Sequence, residues 1–343
     1  MRVPALSAAG PFGALQSPRF YDESSTYRKL GHLRRYHRRM FSYRHAFHAG
    51  NHADVLKHLV LIATLRHMTQ KETALWVVDT HAGAGLYRLD RDYAGASGEA
   101  AEGILKLVTV HGGKGAEGEQ ALAPALADYL QVIRSFNKQG QWNIYPGSPF
   151  IAQHLLRQEV RDKLKLFELH PTDSGVLAAN IAQLGAGRQV GIAREDGFEA
   201  LKSVLPPPSR RALVLIDPSY EIKTDYAKVV ATLRDALERF ATGTYMVWYP
   251  VIPRPEAHEL PRKLKTLVNS FRKPWLHATL ALGQSEQPTE IGEQNRPGLT
   301  ASGVFLVNPP HILKAALQQA LPQVLDALGR GRGKGQVVES GGG

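Results

Sequence analysis

The sequence predicts an α/β fold with a doubly wound, mostly parallel sheet. Three observations carry that prediction: short apolar runs recur, helix-patterned segments separate most of them, and acids stand at several run ends. A short apolar run bounded by turn residues reads as a buried strand. Regular alternation of such strands with helices packs as a parallel sheet covered on both faces. Seven runs qualify: "ALWVVD" (74–79), "LKLFEL" (164–169), "QVGIA" (189–193), "ALVLID" (212–217), "YMVWYP" (245–250), "LHATLAL" (276–282) and "GVFLVN" (303–308). The last two have no clear helix between them and are expected to pair antiparallel.

The totals set the frame. With 343 residues, 43% of them hydrophobic, the chain can bury a proper core as one large domain or two ordinary ones. No apolar run approaches the roughly 18 residues that span a bilayer, so no membrane partner is expected. The absence of cysteine excludes disulfides and thiolate-bound metal, and fits a cytoplasmic location. A formal charge of +11 favours a polyanionic partner, because Lys and Arg displace counterions from phosphates.

Residues 1–39 hold eight Lys or Arg against Asp22 and Glu23, with little periodicity and many Gly, Pro and Ser. They read as a disordered basic extension. Pro4, Gly10 and Pro11 interrupt any signal-peptide core. An organelle transit peptide is a minor alternative, and Met40 is an alternative point of initiation. At the other end, "GRGRGKG" (329–335) opens what reads as a second disordered, basic, Gly-rich tail, residues 329–343.

After the extension, Asn51 is expected to cap a helix, with Asp54 three residues on in a capping-box arrangement. Val55, Leu56, Leu59, Ile62 and Ala63 follow at helical spacing. Between the first and second strands lie residues 80–163, far more than the dozen or so a crossover needs. The surplus contains helical patterns such as "EQALAPALADYLQVIRSF", and is expected to be a small helical insertion at about 88–147. The sequence has no internal repeat.

In "VVDTHAGAGLY" Asp79 ends the first strand, and Gly83 and Gly85 occupy the following turn. Glycine lets backbone approach a nucleotide-like ligand closely. The dinucleotide fingerprint is incomplete, because position 88 is Arg; a tight strand-to-loop turn explains the pair about as well. Glu168 ends the second strand, where a ribose-binding acid is wanted. Asp196 and Gly197 follow the third. Acids at three consecutive strand ends outline a site. An incomplete fingerprint with a seven-strand pattern suggests S-adenosylmethionine, which has no pyrophosphate to cradle.

The fourth strand delivers Asp217, Pro218, Ser219 and Tyr220. An exocyclic amine of adenine or cytosine is a poor nucleophile, because its lone pair is conjugated into the ring. A carboxylate and a backbone carbonyl that accept its N–H bonds return density to nitrogen. An aromatic face holds the base in line by stacking. Asp-Pro-x-aromatic after a buried strand therefore reads as an amino-methylation signature acting on a flipped or unpaired base. Its usual form is Asp/Asn-Pro-Pro-aromatic, and Ser219 replaces the second proline. An ordinary strand-ending turn is the plain alternative. "NPPH" (308–311) also follows a strand, but lacks the aromatic.

His45, His48, His52 and His58 crowd one segment. Two of them are spaced i, i+4, but the helix is expected to begin only at Asn51, so no metal site is expected. Tyr36, Phe41, Tyr43 and Phe47 among Arg and His suit RNA contact better.

"MFSYRHAFHAGNHADVLKH", "DTHAGAG", "YPGSP", "ELHPTD", "DGF", "DPSYE" and "TASG" through "NPP" resemble, in order over residues 40 to about 328, the RlmJ family of large-subunit rRNA adenine-N6 methyltransferases. The resemblance implies a class I, Rossmann-like S-adenosylmethionine-dependent methyltransferase with a seven-stranded, mostly parallel sheet. It implies that Lys57, His58, His81, Ser148, Glu168, Asp196 and Gly197 line the cofactor site, with Gly83 in its turn. Asp217 would be the catalytic acceptor and Tyr220 the stacking platform. Tyr43 and His45 would belong to a tail that closes over the site and touches RNA. The implied reaction is methyl transfer to N6 of one adenine in 23S rRNA, naked or in an early precursor, by a monomer. A DNA adenine methyltransferase shares the motif and is separated by its indifference to a 2′-hydroxyl. A nucleic-acid-binding competence factor without catalysis is separated by turnover.

Overall fold

The computed structural model describes residues 45, 48–90, 98–111, 121–138, 140–284 and 299–343. The extension at 1–39 and Tyr43 lie outside the described residues.

Asn51 opens α1 (His52–Met68): its Oδ1 accepts from the N–H groups of Ala53 and Asp54, both at 3.0 Å. Strand β1 (Trp76–Asp79) follows. Strand β2 (Leu86–Arg88) then pairs antiparallel with β3 (Ile144–Pro146), a ribbon that closes off the insertion. Inside it lie a π-helical turn (Ala101–Leu105), α2 (Lys106–His111) and α3 (Pro124–Ser135). Then come α4 (Ser148–Leu155), β4 (Lys163–Phe167), α5 (Pro171–Ala182), β5 (Val190–Ala193), α6 (Gly197–Val204), β6 (Ala212–Ile216), α7 (Thr224–Arg239), β7 (Thr244–Pro250), α8 (Pro255–Ser270), β8 (Trp275–Gln284), β9 (Ala301–Val307), α9 (Leu313–Leu328) and β10 (Arg332–Gly341).

The main sheet has the order β10-β8-β9-β7-β6-β1-β4-β5. Strands β5, β4, β1, β6 and β7 run parallel, and β9 lies antiparallel between β7 and β8, as the missing helix between its run and the preceding one predicts. The chain moves outward from β1 to β5 and returns to β6 beside β1, so a crevice opens at the carboxyl ends of these strands.

Alternate residues feed two cores. Val77, Leu213, Leu215 and Met246 pack under α1, α4, α5 and α9, whereas Val78, Val214, Ile216 and Val247 pack under α6, α7 and α8. Burial on both faces explains why β6 reads as an unbroken apolar run.

Two expectations are corrected. The main sheet has eight strands rather than seven, and residues 329–343 are not a disordered tail. Strand β10 pairs antiparallel with β8 from Arg332↔Gln284 to Gly341↔Trp275, so the domain continues to Gly341 rather than ending near 328. The Gly- and Arg-rich start of that segment suggests disorder. The open edge of β8 supplies backbone partners that composition does not reveal.

Candidate active site

A cavity of ≈ 640 Å³ opens over the carboxyl ends of the parallel strands, within the range of small-molecule sites. His45, Lys57, His58, His81, Gly83, Ser148, Glu168, Asp196, Gly197, Asp217 and Tyr220 all line it. The sequence-predicted residues within the described regions thus converge, although they come from widely separated parts of the chain.

Asp217 follows β6 directly. Its Oδ2 accepts from the Lys57 ammonium at 2.7 Å, and the same ammonium lies 3.0 Å from Asp54 Oδ1. Asp54 Oδ2 in turn meets His45 Nε2 at 3.0 Å. Burial opposes the Lys57 charge, but Asp217 and Asp54 outweigh it and raise the ammonium pKa. Burial likewise opposes the Asp54 carboxylate, and the charges of His45 and Lys57 with the His45 hydrogen bond reverse that, holding it well below its ordinary range.

Tyr220 adopts a left-handed backbone, φ 54°, rare for a bulky residue. Two bonds hold it: its hydroxyl donates to Trp248 O at 2.6 Å, and Arg254 Nη1 donates to its carbonyl at 3.0 Å. The ring packs against Tyr226 with centroids 4.7 Å apart and is only 2% exposed. It forms cavity wall rather than a projecting platform. Beside it, the half-buried Trp248 also lines the cavity, and its indole N–H has no partner among the described residues.

The other half is built on the glycine turn. Gly83 has φ +58°, and a Cβ there would lie 2.5 Å from the Tyr87 hydroxyl. Its N–H donates to Glu168 Oε2 at 2.7 Å, and His170 N–H donates to Glu168 Oε1 at 2.8 Å. Burial raises Glu168 to about 7 against these two bonds. Ser148 donates to Asp79 Oδ2 at 2.6 Å, beneath the cavity floor, and burial raises Asp79 to about 6. His81 packs edge-on to Phe198 at 4.7 Å, and burial lowers it to about 4. Asp196 caps α6, accepting from Phe198 N–H at 2.9 Å. Gly197 opens that helix so close to β1 that a Cβ would fall 1.9 Å from Thr80 O. His58 Nδ1 meets the Tyr145 hydroxyl at 2.8 Å, while its buried Nε2 has no partner among the described residues. Burial holds it neutral, at about 3.

The remaining motifs resolve structurally. Strand β9 runs opposite to β7, with Val307 beside Tyr245, so "NPPH" leaves the sheet at the end away from the cavity. Asn308 there donates to the carbonyls of Ala241 and Gly243. His48 Nδ1 meets Glu99 at 2.9 Å. Among the described residues no group of three or more His, Cys, Asp or Glu could hold a metal ion, and no helix is long and apolar enough to cross a membrane.

Sequence reasoning missed Asp54, Trp248 and Arg254 as site residues. Asp54 was signalled by its i, i+3 spacing to Lys57, and Trp248 by its place near the carboxyl end of a parallel strand. Arg254 carried no local signal.

A doubly wound sheet, a glycine turn without a complete dinucleotide fingerprint and acids at successive strand ends define an S-adenosylmethionine-dependent methyltransferase. The cavity suits that cofactor: Glu168 offers a carboxylate for ribose hydroxyls, and His58 Nε2 is a buried polar atom in want of a partner. Residues 72–339 match the family model described as "Ribosomal RNA large subunit methyltransferase D, RlmJ", and the chain belongs to that family. It is 40% identical over 283 residues to "Ribosomal RNA large subunit methyltransferase J" of Escherichia coli (strain K12), covering 82% of this chain and 92% of that protein. It is 37% identical over 290 residues to the protein of the same name from Haemophilus influenzae, covering 84% and 94%. A solved structure of a Legionella pneumophila protein is similar at a TM-score of 0.71 and 30% identity, covering 86% of this chain and 98% of that one.

Proposed function

We propose that this chain methylates N6 of one specific adenine in 23S rRNA, with the base flipped out of its stack. The observation that carries the reading is Asp217-Pro218-Ser219-Tyr220 at the carboxyl end of β6, inside the cavity that Glu168 and Gly83 also line. The relatives' names support large-subunit rRNA as substrate. S-adenosylmethionine, when bound, supplies a methyl group on a sulfonium. Asp217 accepts one amino N–H and the Pro218 carbonyl the other. The nitrogen lone pair, returned from conjugation, would form the bond to the methyl carbon as the sulfonium S–CH3 bond breaks and leaves its electron pair on sulfur, and the amine's proton would pass to solvent at the cavity mouth. Tyr220 and Trp248 supply the aromatic wall against which the base stacks, and His45, which lines the same cavity, is the residue proposed to touch the RNA. Because the base must be unpaired, naked rRNA or an early precursor is the expected form, and the chain acts as a cytoplasmic monomer.

The test is incubation with S-adenosylmethionine and large-subunit rRNA from a strain lacking this enzyme, beside duplex DNA, with digestion and quantification of methylated nucleosides. N6-methyladenosine from rRNA alone is expected. N6-methyldeoxyadenosine from DNA would favour the rival substrate, and no transfer to either, nor to precursor particles from that strain, would overturn the reading. Asp217→Ala should lower the rate by roughly a hundredfold or more, the scale of losing one preorganised electrostatic partner. Asp217→Asn should be milder, since its amide oxygen still accepts. Full activity of the alanine variant would reject the role given to Asp217.

A further inference from the structure

Asp54 sits one turn before Lys57 on α1, and its carboxylate is 1% exposed. The capping-box role expected of Asp54 is not met, because the Asn51 N–H that it would take goes to His48 O at 3.1 Å. Asp54 Oδ2 instead accepts from Gly50 N–H at 2.9 Å, just outside the helix, and meets His45 Nε2 at 3.0 Å. Its other oxygen holds Lys57 at 3.0 Å. A buried carboxylate is costly unless it is paired and hydrogen-bonded, and this one is paired on two sides.

The consequence lies at the far end of Lys57. Its ammonium reaches Asp217 Oδ2 at 2.7 Å, between a site carboxylate 17% exposed and an interior one. A lysine stem has many rotamers, so one partner near solvent fixes it poorly. A second carboxylate behind it restricts the ammonium to one place. A carboxylate held by that ammonium then has a defined orientation before a base arrives, which is the preorganisation that in-line transfer requires.

We infer that Asp54 is a positioning residue: it holds Lys57 against Asp217, presets the acceptor carboxylate, and through His45 ties that ion pair to the cavity wall. The inference rests on the methyl-transfer reading above. His45 also packs edge-on to Tyr87 of β2, centroids 5.1 Å apart. The groups facing Lys57 are Asp54 and His58 from α1, Asp217 after β6, Asp79 of β1, and the Trp248 ring of β7, 5.7 Å from its nitrogen.

The experiment compares the full chain with Asp54→Asn, which keeps size and loses charge, and with Asp54→Glu, which keeps charge. Asp54→Asn should lower kcat by about tenfold or more, with cofactor-product affinity unchanged within about twofold. Asp54→Glu should recover part of the rate. A merely structural role would lower the melting temperature and kcat together with no rescue by Asp54→Glu, and that result, or a full kcat in Asp54→Asn, overturns the proposal. A second readout does not depend on turnover: labelling of Lys57 by an amine-reactive ester, followed by peptide mass spectrometry. Labelling should be about tenfold faster in Asp54→Asn, on the scale of coupling between groups in contact. Equal labelling overturns the proposal, whereas a wild-type chain that methylates nothing but shows the contrast overturns only the methyl-transfer reading.

Discussion

At Glu168 a half-buried carboxylate meets two backbone donors, the N–H groups of Gly83 and His170. Burial moves its pKa from the ordinary 4.5 to about 7. A ribose hydroxyl donates to a carboxylate more strongly than to a neutral acid. Cofactor affinity should therefore weaken as pH falls through about 7, as calorimetric titration with S-adenosylhomocysteine would read. The stability term has the opposite slope. The fold favours the protonated acid, so that contribution is full below 4.5 and is lost as pH rises towards about 7. Glu168→Gln should weaken binding by roughly tenfold, the worth of one charge-assisted hydrogen bond, and abolish the pH step. A step that survives the substitution would assign it to another group.

Strand β10 shows how an element far from the site contributes. It covers the edge of β8, and Glu339 on it accepts from Lys265 at 2.6 Å and meets His277 Nδ1 at 2.8 Å. His277 Nε2 lies 2.7 Å from the Tyr249 hydroxyl, so the last strand is bonded through β8 into β7. Ending the chain at Leu328 would expose β8 as an edge and leave His277 without its carboxylate. We expect a melting temperature lower by about 5–10 °C, on the scale of a few kcal/mol in a domain of this size. Cofactor affinity should stay within about twofold, because three strands separate β10 from β6. Unchanged melting would mean that β10 pairs too weakly to count.

For the whole molecule the governing quantity is charge. A formal +11 is spread over a chain whose site carries acids, so attraction of a polyanion belongs to the surface and cofactor binding to the cavity. Affinity for rRNA should fall by about tenfold or more between 50 and 200 mM salt, the range for several phosphate contacts. Cofactor affinity should hardly change over the same range. Filter binding at graded salt would measure the slope, and a flat response would remove phosphate contacts as the source of affinity.

What the sequence determined by itself was local. Apolar runs that lead into Glu168 and Asp217 fix strand, direction and terminal acid together, because an apolar core stretch and a stop are written in consecutive residues, and Asp196 follows its run at the cap of the next helix. Asn51 is legible as a cap for the same reason. The ribbon of Leu86–Arg88 with Ile144–Pro146 was not, since each strand is three residues long and neither has a period. Nor was β10, whose Gly-rich opening hides a pairing that only the edge of β8 makes favourable. Tertiary structure alone decided that Tyr220 is wall rather than projecting platform. It also decided that "NPPH" leaves at the wrong end of the sheet, and that Lys57 bridges Asp54 to an acid 160 residues away. Short-range pattern specifies what an element is. Strand order and direction, set by crossovers and core packing, specify which side chains meet.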